Sequence, residues 1–150
     1  VIKLDPKYEV AFYLRGGAKN FLNEHKDAIK DLDEAIKLNP KYDLAYFCRG
    51  LAKYDSKDYV GAIKDYTEAI RLNPKNDDAY FCRGIAKYDS EDYQDGIKDF
   101  DEAIKLCNLL HNHFDGKMSG YYDMWIERCE FQKTQNLPKD WNGVFIATTK

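Results

Sequence analysis

One cluster of side chains could bind a metal ion, and it lies in the last third of the chain. Cys107 and His111 are four residues apart, a spacing that puts two side chains on one face of a helix. His113 and Asp115 follow closely. Thiolate, imidazole and carboxylate groups are all zinc ligands, but this spacing matches no zinc signature. A metal-dependent or catalytic role around Cys107–Asp115 is therefore kept only as an alternative, and neither a metal nor a cofactor is predicted.

The other reactive side chains do not assemble into a recognisable active site. Cys48 and Cys82 occupy equivalent places in two copies of a repeated segment. Packed helices lie about 8–10 Å apart, which is too far for a disulfide bond, so free thiols in a reducing, cytoplasmic compartment are predicted. Carboxylates alternate with lysines, as in Lys64-Asp65, which is typical of a solvated helix face. There is no glycine-rich phosphate loop, and the chain is predicted not to be an enzyme.

Composition excludes several further classes of protein. The 150 residues are 44% hydrophobic and 33% charged, a balance that indicates a folded chain. No run of about 18 apolar residues occurs, so no membrane-spanning helix is predicted. The 23 basic and 26 acidic side chains give a net charge of −3, so nucleic acid is not predicted as a partner. The 12 tyrosines and 8 phenylalanines are in excess, and the elements of the fold must account for them.

The chain repeats with a spacing of 34 residues. The segment AYFCRGLAKYDSKDY from Ala45 returns as AYFCRGIAKYDSEDY from Ala79, and AFYLRGGAKNFLNEH from Ala11 is a weaker copy. The segments that follow also match: AIKDLDEAIKLNP, AIKDYTEAIRLNP and GIKDFDEAIKLCN. Three units are predicted, at 7–40, 41–74 and 75–108. VIKLDP at 1–6 matches the end of a unit, so we expect the chain to start inside an earlier repeat, where an N-terminal signal is not assessable.

Each unit has the pattern of two helices joined by a short turn. In the second unit, a first helix is predicted over 43–54. The second helix has one apolar stripe at spacings of three and four: Tyr59, Ala62, Ile63, Tyr66, Ala69 and Ile70. Asp58 is a predicted N-cap, and Asn73-Pro74 ends the second helix because proline cannot continue it.

These units resemble the tetratricopeptide repeat family, whose 34-residue repeats are helical hairpins. The family's recurring aromatic, glycine, alanine and proline positions hold Phe12, Tyr46 and Tyr80; Gly16, Gly50 and Gly84; Ala28, Ala62, Ala35, Ala69 and Ala103; and Pro40 and Pro74. The resemblance implies an all-α fold, a right-handed superhelical solenoid of antiparallel helix pairs. Glycine inside a helix costs about 1 kcal/mol, so its recurrence indicates a close approach of two helices.

Residues 109–150 depart from the repeat. Gly96 and Asn108 already replace the family's alanine and proline in the third unit, which indicates that the array is closing. A helix over about 119–133 is predicted to cap the last repeat. The tail at 141–149, WNGVFIATT, is predicted to be an extended strap along the last repeats, with docking in a groove as the alternative.

A buried ion pair is predicted inside each hairpin. Where the family usually has leucine, each first helix carries an arginine, and an aspartate follows 16 residues later in the second helix. An unpaired buried guanidinium is costly, so we expect the two to bind each other and to have a structural role. The predicted pairs are Arg15 with Asp31, Arg49 with Asp65, and Arg83 with Asp99.

The opposite face of each first helix is implied to line the concave groove of the solenoid. By helical period this face holds Tyr13, Gly17, Leu44, Phe47, Cys48, Leu51, Tyr54, Asp55, Asp78, Phe81, Cys82, Ile85, Tyr88 and Asp89, with Val10, Leu14, Asn20 and Phe21. Its aromatic ladder, Tyr13, Phe47 and Phe81, indicates an interaction site, because apolar patches with aromatic anchors are typical of binding surfaces. In the alternative, neighbouring helices or the C-terminal segment cover the ladder and make it core.

The predicted function is a non-enzymatic scaffold that binds a peptide or helix of another protein in this groove. Asp55 and Asp89 at the groove edge favour an apolar partner with a basic residue. The family's better-known clamp for a carboxylate needs lysine, arginine and asparagine at five positions. Those positions here hold Tyr13, Gly17, Cys48, Asp78 and Cys82, so that clamp is absent. A self-assembling segment of a longer repeat array is a further alternative.

Overall fold

The computed structural model describes residues 7–113 together with Glu127 and Phe131. Six helices account for most of this part of the chain: α1 (Lys7–Phe21), α2 (His25–Leu38), α3 (Asp43–Asp55), α4 (Tyr59–Leu72), α5 (Asp77–Asp89) and α6 (Tyr93–His113). The described residues contain no strand. The helices pack as pairs, α1 on α2, α3 on α4 and α5 on α6, which confirms the predicted all-α array of helix pairs.

Short turns connect the two helices of each pair. Each turn has one residue in the left-handed region: Asn23, Lys57 and Glu91, with φ of 62°, 64° and 68°. The predicted N-cap closes the second of these turns, where the Asp58 carboxylate accepts a 2.9 Å hydrogen bond from the Gly61 N–H. At its other end, α4 stops at Leu72, just before Asn73 and Pro74, as predicted. Local sequence therefore determines where α4 begins and ends.

The third pair has a longer second helix. α6 has 21 residues, whereas α2 and α4 have 14 each. Asn108 stands where the other units have proline, and asparagine keeps the N–H that a continuing helix needs. The predicted boundary at residue 108 consequently lies inside α6.

The core of each pair forms where a glycine of the first helix faces a large side chain of the second. A Cβ atom on Gly50 would lie 2.6 Å from Cε1 of Tyr66, and one on Gly84 would lie 2.7 Å from Cε1 of Phe100. Both rings are buried. A Cβ on Gly96 would lie 3.0 Å from the Gly84 carbonyl oxygen, which explains why α6 has glycine where the other units have alanine. The glycines thus allow the close approach that their recurrence predicts.

All three predicted arginine–aspartate pairs are present. Arg49 donates from Nε to one carboxylate oxygen of Asp65 at 2.8 Å and from Nη2 to the other at 2.6 Å. Lys53 adds an ion pair of 2.8 Å to the same carboxylate. Asp65 is only 4% exposed, so two cations neutralise a charge that the core would otherwise exclude. The same arrangement joins Arg15 and Lys19 to Asp31, and Arg83 and Lys87 to Asp99.

Several predictions fall outside the described residues. They are the repeat end at 1–6, the strap at 141–149 and most of the capping helix at 119–133. Of that helix, Glu127 and Phe131 are described, and both are helical and exposed. In the described part of the chain, no helix is both long and apolar enough to cross a membrane.

Two glycine substitutions should change stability in opposite directions. Gly50→Ala adds a methyl group that overlaps the buried Tyr66 ring, so the free energy of unfolding should fall by roughly 1–3 kcal/mol. Gly17 has no atom within 4 Å of an added Cβ, so Gly17→Ala should raise it by about 1 kcal/mol through helix propensity. Urea unfolding followed by circular dichroism measures both. A Gly50→Ala chain as stable as the wild type would show that the ring moves aside.

The Asp31 pair should make stability depend on pH in acid. The hydrogen bond from Arg15 holds the pKa of Asp31 at about 2, although burial acts in the opposite direction. An unfolded aspartate has a pKa of about 3.9, so the ionised carboxylate stabilises the fold above about pH 4 and loses this contribution as the pH falls towards 2. Asp31→Asn should therefore cost on the order of 2 kcal/mol at neutral pH and progressively less below pH 4.

Urea unfolding from pH 7 to pH 2 measures that difference. The matched control is Glu24→Gln, which changes an exposed carboxylate and should give a difference from wild type that is small at every pH. A penalty for Asp31→Asn that stays constant down to pH 2 would contradict the assignment.

Candidate interaction groove

The first helices form the inner layer of the array. α1 lies against α3, and α3 lies against α5, while α2 and α4 each pack between their own first helix and the next one. Because the first helices meet one another directly, the array curves with these helices on its concave side. The predicted groove is therefore the free face of α1, α3 and α5.

The predicted groove residues differ in exposure along this face. Leu44, Asp55 and Asp89 are exposed, as are Val10, Leu14 and Phe21. The half-buried ones are Tyr13, Gly17, Asn20, Phe47, Cys48, Leu51, Tyr54, Asp78, Cys82, Ile85 and Tyr88. The exposed apolar residues of this face thus lie on α1 and α3, and those of α5 are half-buried or buried.

Phe81 does not line the groove as predicted. It is 2% exposed and belongs to a core cluster with Phe100 and Ala103. The centroids of the Phe81 and Phe100 rings are 5.7 Å apart, with the ring planes tilted by 50°. Phe47 makes a similar contact with Tyr66, at 5.8 Å between ring centroids, yet Phe47 and Tyr13 remain partly exposed. For the third member of the ladder, the core interpretation is the correct one.

Hydrogen bonds connect successive first helices along one edge of the groove. Asn20 Nδ2 donates to the Asp55 carboxylate at 3.1 Å, and the Tyr54 hydroxyl donates to the Asp89 carboxylate at 2.5 Å. Burial, and then the bond to Asp89, raise the pKa of Tyr54, so its hydroxyl stays a donor at neutral pH. Helical period places these residues in the groove but does not indicate the bonds between them. The only sequence signal is a donor that precedes a carboxylate by 35 residues in both cases.

The middle of the groove holds a tyrosine–cysteine contact. Tyr13 and Cys48 pack against the same core cluster of the first and second units. Burial, followed by the neighbouring Cys48, raises the pKa of Tyr13 to about 12. Burial also raises the pKa of the Cys48 thiol. A thiol with a raised pKa is protonated at neutral pH and is a poor nucleophile.

The acidic groove residues have no cation partner in the described part of the chain. Asp55 and Asp89 are bound by neutral donors only, an amide and a hydroxyl. Burial, and then the neighbouring Asp77, raise the pKa of Asp78. The groove therefore carries a negative charge that a bound cation would compensate.

An open apolar surface extends over α1 and α3. Leu14 is 62% exposed and Leu44 is 40% exposed. Val10, Leu14 and Gly17 recur at spacings of four and three, which places them on one face of α1. Gly17 leaves a gap in this face, because no atom lies within 4 Å of where its Cβ would be. The surface can therefore accept an apolar side chain from outside.

Cys107, the first residue of the metal candidate, makes a structural contact. It is 1% exposed, and its thiol donates to a carboxylate oxygen of Asp77, with the sulfur 3.3 Å from that oxygen. The equivalent contacts in the other units join Asn39 to Glu9 at 2.9 Å and Asn73 to Asp43 at 3.0 Å. The thiol thus takes the place of an amide that connects the end of one helix pair to its start.

The side chains of His111 and His113 lie outside the described residues, as does Asp115. Within the described part, no group of three or more histidine, cysteine, aspartate or glutamate residues could hold a metal ion.

Comparison with known proteins identifies the repeat. A family model described as TPR repeat matches residues 22–56 and 50–90, which include α2, α3, α4 and α5. No curated protein matches the chain in sequence.

Several solved structures share the fold. The TPR2B domain of yeast Sti1, in a pHsp70 complex, is 21% identical, covers 84% of this chain and 98% of that chain, and has a TM-score of 0.70. The first TPR of Spaghetti (RPAP3), bound to the HSP90 peptide SRMEEVD, is 21% identical over 71% and 84%, with a TM-score of 0.67. MamA is 28% identical over 73% and 64%, with a TM-score of 0.69.

The bond between Tyr54 and Asp89 should couple the second and third units. Tyr54→Phe removes the donor but keeps the ring, whose centroid lies 5.5 Å from that of Tyr59. We expect the free energy of unfolding to fall by about 1 kcal/mol. When Asp89→Ala is added, the loss for the double variant should be smaller than the sum of the two single losses. Urea unfolding of the wild type, the two single variants and the double variant measures the coupling. Tyr59→Phe is the control, since that hydroxyl bonds to no described residue, and strictly additive losses would contradict the coupling.

Proposed function

The chain belongs to the tetratricopeptide repeat family, and on this basis we propose that it is a non-enzymatic scaffold whose groove binds a segment of another protein. The segment lies along the inner helices and inserts apolar side chains between them. The observation that carries the proposal is the open apolar surface of α1 and α3, with Leu14 62% and Leu44 40% exposed. A contiguous apolar surface on a concave face is typical of an interaction site.

The charge of the groove supports a partner with a basic residue. Asp55 and Asp89 are exposed at the groove edge, and Asp78 lies half-buried within it. A lysine or arginine of the ligand would neutralise these carboxylates and guide the ligand into one register. The Spaghetti structure holds a peptide with three acidic residues, SRMEEVD. A peptide of that charge is disfavoured here, because the groove itself is acidic and lacks the clamp residues.

The chemistry of the groove also supports binding without catalysis. Burial raises the pKa of the Cys48 thiol, which makes it a poor nucleophile, and outside the groove Cys107 donates to Asp77. Asn20 and Tyr54 connect neighbouring units through hydrogen bonds to Asp55 and Asp89. These contacts favour a rigid surface over a reactive site.

Peptide selection followed by groove substitutions tests the proposal. Peptides are selected from a random displayed library on the wild-type chain, and their affinities are measured by fluorescence anisotropy. Leu14→Gln with Leu44→Gln should weaken them at least about tenfold, since burying one leucine contributes about 1.5–3 kcal/mol. We expect lysine or arginine to be enriched in the selected peptides. The combined change Asp55→Asn with Asp89→Asn should also weaken peptide binding, and the loss of affinity should be larger at low salt than at high salt.

The matched control is Val60→Gln. Val60 is also 62% exposed, but it lies on α4 in the outer layer, so this change should leave affinity unaltered. Circular dichroism should show the same helicity for all variants. Selected peptides that keep their affinity for the Leu14→Gln, Leu44→Gln chain would place the binding surface elsewhere.

A further inference from the structure

Carboxylates accumulate along the groove from the first unit to the third. The groove face of each first helix has four equivalent positions, at spacings of four, three and four residues. They hold Val10, Leu14, Gly17 and Phe21 in α1; Leu44, Cys48, Leu51 and Asp55 in α3; and Asp78, Cys82, Ile85 and Asp89 in α5. These positions thus include no carboxylate in α1, one in α3 and two in α5. The groove is apolar at one end and anionic at the other.

Asp78 is the exception in a row of otherwise aliphatic residues. The equivalent residues of α1 and α3, Val10 and Leu44, are 41% and 40% exposed. Asp78 is half-buried, and within the described residues its carboxylate has no hydrogen bond or ion pair. Burial, and then Asp77, raise its pKa, which is the expected result for a carboxylate that has lost water without gaining a partner.

The start of α5 does not need this carboxylate. Asn76 caps the helix, because its side chain accepts a 2.9 Å hydrogen bond from the Ala79 N–H. Asp77 accepts from the Cys107 thiol, with the sulfur 3.3 Å from the carboxylate oxygen. Both neighbours of Asp78 in this turn therefore have structural contacts, whereas helical period turns Asp78 towards the groove. A carboxylate in this position is complementary to a cation that the ligand supplies.

We propose that Asp78 selects a lysine or arginine of the ligand, so that the ligand binds in one direction, with apolar side chains on α1 and α3 and its cation on α5. This inference rests on the proposed binding of a protein segment in the groove. Packed helices lie about 8–10 Å apart, and an extended chain advances about 3.3 Å per residue. The cation consequently stands about three residues from the side chain that contacts Leu44. Its aliphatic stem lies on the apolar groove surface while its charged end pairs with Asp78.

Parallel peptide selections on two forms of the chain test this assignment. Asp78→Leu gives α5 the aliphatic residue that α3 has at Leu44. Random displayed peptides selected on the wild type should have a lysine or arginine about three residues from an apolar anchor. Peptides selected on the Asp78→Leu chain should have an apolar residue in place of that cation, because the row is then aliphatic in all three units.

A double-substitution cycle shows whether the cation contacts Asp78. In a peptide selected on the wild type, norleucine replaces the cation and keeps an aliphatic stem without the charge. Fluorescence anisotropy should show affinity for the wild type falling at least about tenfold, but affinity for Asp78→Asn changing less than about twofold. The matched control is Glu24→Gln, which removes an exposed carboxylate from the turn after α1 and should preserve the tenfold loss.

The stability of the chain without ligand gives a second readout. The pKa of Asp78 is raised in the folded chain, so its ionised form costs stability at a pH above both the folded and the unfolded pKa. Asp78→Leu should therefore raise the midpoint of urea unfolding at neutral pH, whereas Glu24→Gln should leave it unchanged. A lower midpoint for Asp78→Leu would overturn the proposal, because another group of the chain would then already pair with Asp78.

The binding experiments can also contradict the proposal. Selected peptides that lose affinity for the Leu14→Gln, Leu44→Gln chain but not for Asp78→Asn would overturn it and leave the proposed function standing. A library that yields no binder would overturn both. A concentration-dependent dimer of the chain, seen by sedimentation and abolished by Asp78→Leu, would make a second copy of the chain the occupant and would overturn the assignment to a separate ligand.

Discussion

The close approach of the two helices in each pair is the constraint on which the rest of the structure depends. A side chain at Gly50 would overlap the Tyr66 ring, so the first helix packs in the rotation that turns this glycine inwards. That rotation places Arg49, the preceding residue, beside Asp65 of the second helix. It also turns the opposite side of the helix, with Leu44 and Asp55, towards the groove. Packing inside the pair thus determines which residues of the first helix face the groove.

The buried aspartates show how polar groups can fix this packing. Removing one partner of a buried ion pair costs several kcal/mol, although an apolar replacement of the whole pair can be neutral, so such pairs specify geometry more than they add stability. The carboxylate of Asp65 is fully paired, because Arg49 and Lys53 together bind both of its oxygens. Since Arg49 also binds Asp33 of the preceding unit, one guanidinium sets the geometry within a unit and between units. The Tyr46 ring lies 5.4 Å from the guanidinium and limits its movement further.

Sequence alone predicts contacts within a unit better than contacts between units. The N-cap at Asp58 and the arginine–aspartate pairs depend on short spacings, which helical geometry translates directly into distances. The bond from Tyr54 to Asp89 depends on the curvature of the array, which no single unit determines. Phe81 was misplaced because helical period assigns a face to a ring but not the depth to which it inserts. Cys107 resembled a metal ligand because its role as a substitute for asparagine appears only when three units are superposed.

α1 presents two surfaces whose chemistry suits different contacts. Its outer end carries the exposed alanines Ala11 and Ala18, and small side chains let the backbone of another helix come close. Its groove face carries Val10, Leu14 and the gap at Gly17, which suit single side chains projecting from a ligand. The two surfaces are coupled through geometry, because residues on one helix keep fixed angles to one another. The packing of α1 on α2 and α3 therefore sets both surfaces at once, and a change that turned α1 would alter the groove and the outer end together.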